Sequence, residues 1–420
     1  MTYEFKYLMR LLGCALEKKE IPAPEQAVDW EKLIKMASSQ GIFPVFAYTV
    51  GRCEDGFVPE PLRNRMKELS QQYIIMELSR KMNTLYLLGK LERQGVQAVV
   101  VKGFAVSDCY AMPETRISGD VDILIDKKQE RKTLHILGDC CQNIKKRKKG
   151  DHHSVCYHQS IGIIEVHVLL YDEFVEDIWF KEMKEAALIR EPYERVDCEG
   201  GSYYTLGKTD HMIFLALHMV KHFILSGINL RQMLDVTLFF AKNYEKIDAG
   251  RFFGVLRALQ YETFICNVIG AAAIYCGLPA AWLDLLPVRP EEEAIDMIMD
   301  DLESVCYLSD EDRQSRFDGW HAYTKARSEK FKSSRWYRFY MKRRAILPAL
   351  FPPREHMIKT YPVLDKCPFF MPLLWLHRLF IRGGRRILFN DIPANIVENE
   401  NDISQAGQRR MDMFRNLDMI

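Results

Sequence analysis

Ser118-Gly-Asp-Val-Asp-Ile-Leu-Ile-Asp126 sets two carboxylates, Asp120 and Asp122, one residue apart in an otherwise apolar run. A strand sends alternate side chains to opposite faces, so both carboxylates point one way while Val121, Ile123 and Ile125 point the other. Two like charges on one face of a half-buried strand repel each other and resist desolvation. A cation, most simply a divalent metal, is therefore expected to neutralise them. Just upstream, Lys102-Gly103 closes a continuous β-branched run that begins at Ala98. The pattern suggests metal-assisted chemistry on phosphates.

Downstream, the stretch Ile163-Ile-Glu-Val-His-Val-Leu169 reads as a further strand, with Glu165 and His167 on one face and Ile164, Val166 and Val168 on the other. If it pairs beside the Asp120 strand, three carboxylates converge. Oxygen ligands so placed would hold two hard cations about 3.5 to 4 Å apart, to activate an attacking hydroxyl and steady a leaving pyrophosphate. His152, His153, His158 and His167 fall in neighbouring strands and invite a zinc reading. Three carboxylates favour magnesium or manganese instead, with the histidines orienting a carboxylate or touching a nucleotide.

Around this segment the hydrophobic period changes. Residues 4–16, 29–38 and 61–94 carry apolar residues at helical spacing, the last stretch ending near Gly95. A strand (98–102), a helix-compatible stretch (104–110), the Asp120 strand, a helix (127–141) and strands at 143–148, 154–158 and 163–169 follow, with a hairpin turn at 160–162. Beyond about Asp172 the chain turns helical again, over 210–223, 231–244, 252–276 and 291–305, with one extended patch at 202–206. This is an α+β pattern. Its expected divisions are a helical N-terminal region (1–95), the core (96–172), a mainly helical C-terminal region (173–390) and a polar tail (391–420), in which 411–417 has amphipathic spacing.

Composition permits an ordinary folded enzyme: 420 residues, 48% hydrophobic, 27% charged. A formal net charge of +1 supplies no global pull toward nucleic acid. Eleven cysteines form no C-x-x-C pair and no zinc-like spacing, and the charged N-terminus is unlike a secretory leader. The expectation is a reduced, cytoplasmic protein. The most apolar segment, 369–381, is broken by His377 and Arg378 and is shorter than the roughly 20 residues a spanning helix needs, so no transmembrane segment is expected.

The succession Lys102-Gly103, Arg116-x-Ser118-x-Asp120-x-Asp122 and a later acidic strand resembles the nucleotidyltransferase fold of the DNA polymerase β superfamily. More specifically, the chain is similar to the uncharacterised bacterial nucleotidyltransferases whose core reads LKG, Y, R, GDIDLLV and then HH and VEVH. The matching positions are Lys102, Gly103, Tyr110, Arg116, Gly119, Asp120, Asp122, His152, His153, Glu165 and His167. The likeness continues through His218-x-x-Lys221-His222, Gly227, Leu230-Arg231 and Asp235, and extends toward Phe351-Pro352 and Tyr361-Pro362.

The resemblance implies a mixed β-sheet core flanked by helices, with magnesium or manganese as cofactor. It further implies transfer of a nucleoside monophosphate from an NTP to an unidentified acceptor, be it a small molecule, a protein or RNA. Asp120, Asp122 and Glu165 would be the catalytic and metal-holding residues. Lys102, Gly103, Arg116, Ser118, His167, His218, Lys221 and His222 would contact the nucleotide. In one respect the chain departs from the superfamily. Many members carry Gly-Ser or Gly-Gly where this chain has Lys102-Gly103; Gly103 retains the freedom for close backbone approach, while Lys102 would either meet a phosphate or pair with Asp120 in an inactive relative. The alternative function is therefore a catalytically inactive nucleotide sensor or assembly protein.

Several features carry a structural reading beside the functional one. Arg116 would bind phosphate through its fork, or form an ion pair with Asp108 or Glu114. His218, Lys221 and His222 share a helical face that would line the cleft, and Arg231 and Asp235 share another at i, i+4; capping and inter-helix salt bridges explain both as simply. The basic runs 145–149 and 325–344 have the charge, and the second the aromatics, to grip nucleic acid, but a solvated helix explains the second as well. Nucleic acid is not the favoured partner.

Overall fold

The run containing Asp120 forms the middle strand of a seven-stranded mixed sheet in the computed structural model. The structure describes residues 1–17, 19–54, 56–147, 152–170, 189–277, 281, 283–307, 323, 361, 371, 374 and 405–420. The strands are β1 (Val99–Val100), β2 (Asp120–Leu124), β3 (Gln142–Lys145), β4 (His153–His158), β5 (Gly162–His167), β6 (Glu194–Cys198) and β7 (Gly201–Thr205). They lie in the order β3-β4-β5-β2-β1-β7-β6. β2 pairs parallel with β5 and antiparallel with β1, while β1 pairs parallel with β7.

Alternation along β2 fixes what each face does. Val121, Ile123 and Ile125 join Ile164, Val166 and Val168 in a core with Leu85, Leu88 and Leu91 of α4 (Glu60–Arg93) and Leu134 and Leu137 of α6 (Glu130–Gly138). Burying each such side chain contributes about 1.5–3 kcal/mol. A one-residue slip of β2 would drive Asp122 into this core, so the register is strongly specified. On the opposite face Val99, Val101 and Leu124 pack with Leu206 and with Phe214 of α7 (Lys208–Leu225). Asp122 opens onto this second face, beneath α7.

The other α-helices among the described residues are α1 (Tyr3–Glu17), α2 (Trp30–Ser39), α3 (Phe43–Gly51), α5 (Phe104–Ser107), α8 (Leu230–Asn243), α9 (Ala249–Ala258), α10 (Glu262–Cys276), α11 (Glu292–Ser304) and α12 (Gln405–Asn416). α1 packs on α3 and α10, and α8 on α7 and α10. Asp29 caps α2 through Lys32 N, and Asn229 and Gln232 form a reciprocal capping box at the start of α8. Gln40 at the end of α2 accepts the Leu230 and Arg231 N–H groups, tying α8 to the N-terminal helices.

Two expectations need correction, and one helix, α3, has no expectation behind it. The single helix expected over 252–276 is two, because Gln260 takes a positive φ of 60° and breaks the run before α10. The nine-residue α3 carries apolar residues on nearly every position, so it lacks the helical period that marks an amphipathic helix. The sheet also extends past residue 172: the β6–β7 hairpin, of which only the 202–206 patch was legible, completes it through Val99↔Tyr204 and Val100↔Thr205.

The chain divides into two compact units, Met1–Phe317 with Asp412–Ile420, and Asp318–Met411. The candidate site belongs to the first. The basic run 325–344, the 351–352 and 361–362 pairs apart from Tyr361, and the apolar stretch 369–381 apart from Met371 and Leu374 lie outside the described residues. Among the described residues no helix is long and apolar enough to cross a membrane.

Candidate active site

Parallel pairing of β2 with β5 sets Asp122 opposite Glu165 and Asp120 opposite Ile163. Asp122 is 1% exposed and carries two cationic contacts: Lys102 Nζ stands 3.0 Å from Oδ2, and His167 Nε2 stands 2.9 Å from Oδ1. His167 Nε2 also approaches Glu165 Oε2 at 3.3 Å, and His153 Nε2 lies 3.7 Å from Glu165 Oε1. Burial works against ionisation of Asp122. The hydrogen bond from His167 and the charge of Lys102 outweigh it and hold the carboxyl well below the usual range. Glu165 is likewise lowered, burial and Asp122 opposing, His167 and His153 favouring its charge. His167 is raised: burial opposes its charge, but its bonds to Asp122 and Glu165 prevail.

Asp122, Glu165 and His167 each place a ligand atom within 4.8 Å of the others; Asp120 is not in that group. It sits at the more open end of β2, with no hydrogen-bond or ion-pair partner among the described residues. The convergence of three carboxylates is thus a pair, Asp122 and Glu165, with Asp120 beside it along the strand. Lys102 pairs with Asp122 and not with Asp120, because the β1 exit runs antiparallel to β2 and Val101 N donates to Asp122 O.

Gly103 follows Lys102 with φ 68° and ψ −128°, a conformation that only glycine adopts without strain. A Cβ there would lie 3.4 Å from Ser118 Oγ, so the Lys102-Gly103 turn and Ser118 form one rim. That rim is anchored from behind. Arg116 donates to Ser118 Oγ through Nη1, and to Asp235 of α8 through Nε at 3.1 Å and Nη2 at 2.5 Å. Tyr110 Oη donates to the same Asp235 at 2.8 Å. The partner expected for Arg116, Asp108 or Glu114, is replaced by a carboxylate more than a hundred residues away. In this structure its guanidinium bridges Ser118 and Asp235. Arg231, expected beside Asp235, instead donates to Ile117 O at 3.2 Å.

α7 packs, through Phe214, on the face of the sheet that carries Asp122. His218 and His222, both partly buried, bring their Nε2 atoms to 3.1 Å. Burial, then the positive charges of Lys102 and Lys221, push His218 well below its ordinary value; burial, then Lys221 and Lys102, bring His222 down to about 4. Lys221 shares their helix beside His222.

Two positioning residues were not legible in the sequence. His211, fully buried, donates from Nε2 to Val101 O at 2.9 Å and so fixes the carbonyl just before Lys102. Arg80 of α4 donates to Ser118 O. Nothing in local spacing links residue 80 or 211 to the Asp120 strand. Of the basic run at 145–149, Arg147 is bound by Glu130 at 2.8 Å, and Lys148 and Lys149 lie outside the described residues.

The low-titrating histidines make stability depend on pH. Burial lowers His211 to about 3, whereas the unfolded chain protonates it near 6.5. Below pH 6.5 the unfolded state therefore binds more protons, and stability falls as pH falls toward the folded value. For His211 alone the loss is up to about 1.4 kcal/mol per pH unit. His218 and His222 add in the same direction; His167, raised, acts oppositely and loses its contribution as pH rises through its folded value. Urea midpoints should drop from pH 7 to pH 5, and His211→Gln should flatten that slope. A midpoint independent of pH over this range would contradict the neutral burial of these rings.

Residues 26–277, more than half of the chain, match a family model described as an uncharacterised nucleotidyltransferase. No curated protein and no solved structure matches the chain.

Proposed function

Because the chain belongs to the uncharacterised nucleotidyltransferase family, we propose that it moves a nucleoside monophosphate from an NTP to an acceptor hydroxyl or similar nucleophile. The acceptor oxygen forms a bond to the α-phosphorus, the bond from that phosphorus to the β-phosphate oxygen breaks, and pyrophosphate leaves. The observation that best supports this reading is the parallel register that sets Asp122 beside Glu165, with the Gly103–Ser118 rim next to it.

The donor set fits magnesium or manganese. Asp122 Oδ2 is buried and faces the Lys102 ammonium, which an ion would displace, Glu165 is partly exposed beside it, and Asp120 offers a carboxylate without a partner among the described residues. When bound, such an ion neutralises charge developing on the phosphates. Asp122 and Glu165 would hold it with Asp120, Glu165 would accept the proton of the acceptor hydroxyl, and His167 would keep Asp122 oriented. Gly103 and Ser118 would let the triphosphate approach the backbone. Lys102 would exchange Asp122 for a phosphate, and His218, Lys221 and His222 would face the nucleotide. Phosphoryl transfer asks mainly for such positioning and charge balance.

The Lys102–Asp122 ion pair favours a second reading, an NTP sensor in which the lysine stands where a metal would. The two are separated by incubating the full-length protein with α-labelled NTPs, magnesium and a cell extract. Pyrophosphate release with transfer of the label supports the enzyme. Calorimetric NTP binding without pyrophosphate from any acceptor pool would leave the sensor.

A further inference from the structure

We infer that His152, His153 and His167 form a binding site for a zinc-class transition-metal ion, adjoining the carboxylate pair and separate from the magnesium chemistry proposed above. β4 and β5 pair antiparallel with His153 directly across from His167, and His152 immediately precedes β4. One ring nitrogen from each histidine lies within 4.8 Å of the others. The ring centroids are 4.2 Å apart for His152 and His153, and 5.1 Å from each of these to His167. His153 Nδ1 and His152 Nε2 are 3.0 Å apart. Two nitrogens bound tetrahedrally at the zinc–nitrogen length of about 2.0–2.1 Å stand about 3.3 Å apart, so this spacing is close to that of two ligands of one ion.

His167 supplies an independent observation. It is 5% exposed, its Nε2 is held by Asp122 and Glu165, and its buried Nδ1 has no hydrogen-bond partner. Loading the site would require His167 to present this Nδ1, as metal-ligating imidazoles do when a carboxylate fixes the other nitrogen. Three imidazoles select zinc, cobalt, nickel or iron over magnesium, which prefers oxygen. The neighbouring Asp122 and Glu165 supply negative charge against the added cation.

The test uses the full-length protein stripped with a chelator and titrated with Co²⁺, then with Zn²⁺ against a chromogenic chelator, no nucleotide being present. One equivalent bound at micromolar affinity or tighter, with visible cobalt absorption, is expected. His153→Ala should weaken binding by more than the roughly 10–100-fold that loss of an outer-shell partner costs. His158→Ala, at the far end of β4, should retain it, and near-UV circular dichroism identifies any variant that has not folded. His152→Gln, closer in size and polarity, gives a second reading of the same loss. Wild-type protein binding no more cobalt than the doubly substituted His152→Ala/His153→Ala chain would overturn the assignment, as would equal weakening by His158→Ala. Since binding is read without NTP, its failure leaves nucleotide transfer standing, and absent pyrophosphate release leaves the histidine site standing.

Discussion

Asp122→Asn is expected to lower pyrophosphate release by about 10²–10³-fold or more, the scale of removing one positioned electrostatic group from a reacting centre. The change keeps shape and burial but removes the charge that His167 and Lys102 both address. Breaking a buried ion pair from one side costs about 3–5 kcal/mol, yet Lys102 is partly exposed and its ammonium can turn to water, so the loss of stability should fall below that range. The measurements are initial rates of pyrophosphate release and urea unfolding of the same preparation. Unchanged turnover in a folded Asp122→Asn protein would remove the proposed mechanism. Asp120→Asn should give a smaller effect, because Asp120 lies outside the group that Asp122, Glu165 and His167 form.

Arg116→Met should be the most destabilising of these substitutions, by about 3–5 kcal/mol, since among the described residues it leaves a buried carboxylate with only the Tyr110 hydroxyl. Arg116 is 4% exposed and its pKa is raised: burial opposes the charge, and the paired Asp235 carboxylate overrides it. Asp235→Asn should cost a comparable amount by stranding the guanidinium. The double substitution Arg116→Met/Asp235→Leu removes both charges and should be less harmful than the sum, which denaturant unfolding in a double-mutant cycle measures. Its activity should nevertheless stay low, because Ser118 loses the guanidinium that holds its hydroxyl. Additive losses would mean that the two side chains do not act as a pair.

What sequence alone revealed of the site follows the range of each interaction. Asp120 and Asp122 announce themselves through period-two alternation, and Glu165 and His167 through the same rule on a second strand. Their pairing is a long-range event that the pattern suggested, and β2–β5 register supplies it. The partners of Lys102 and Arg116 were misassigned for one reason: local spacing proposes neighbours in the chain, whereas strand direction and the packing of α8 decide neighbours in space. His211 and Arg80 left no trace, because each acts on a backbone carbonyl, a group every residue carries. Among the elements, α2, α4 and α8 were legible from apolar spacing and turn or capping residues. The break at Gln260 was not, since a positive φ at glutamine has no compositional sign.

The shortness of β1 bears on how the chain comes off the ribosome. Val99 and Val100 take one neighbour from β2, about twenty residues on, and the other from β7, past residue 200. At translation speeds of about 5–20 residues per second, that second margin stays bare for roughly 5–20 seconds. With only two residues to offer, it is a poor template for a foreign strand, and brevity is a known way of guarding such margins. The segment that delivers Lys102 to the acidic pair thus gains its second strand neighbour only after the nascent polypeptide has released everything through Thr205.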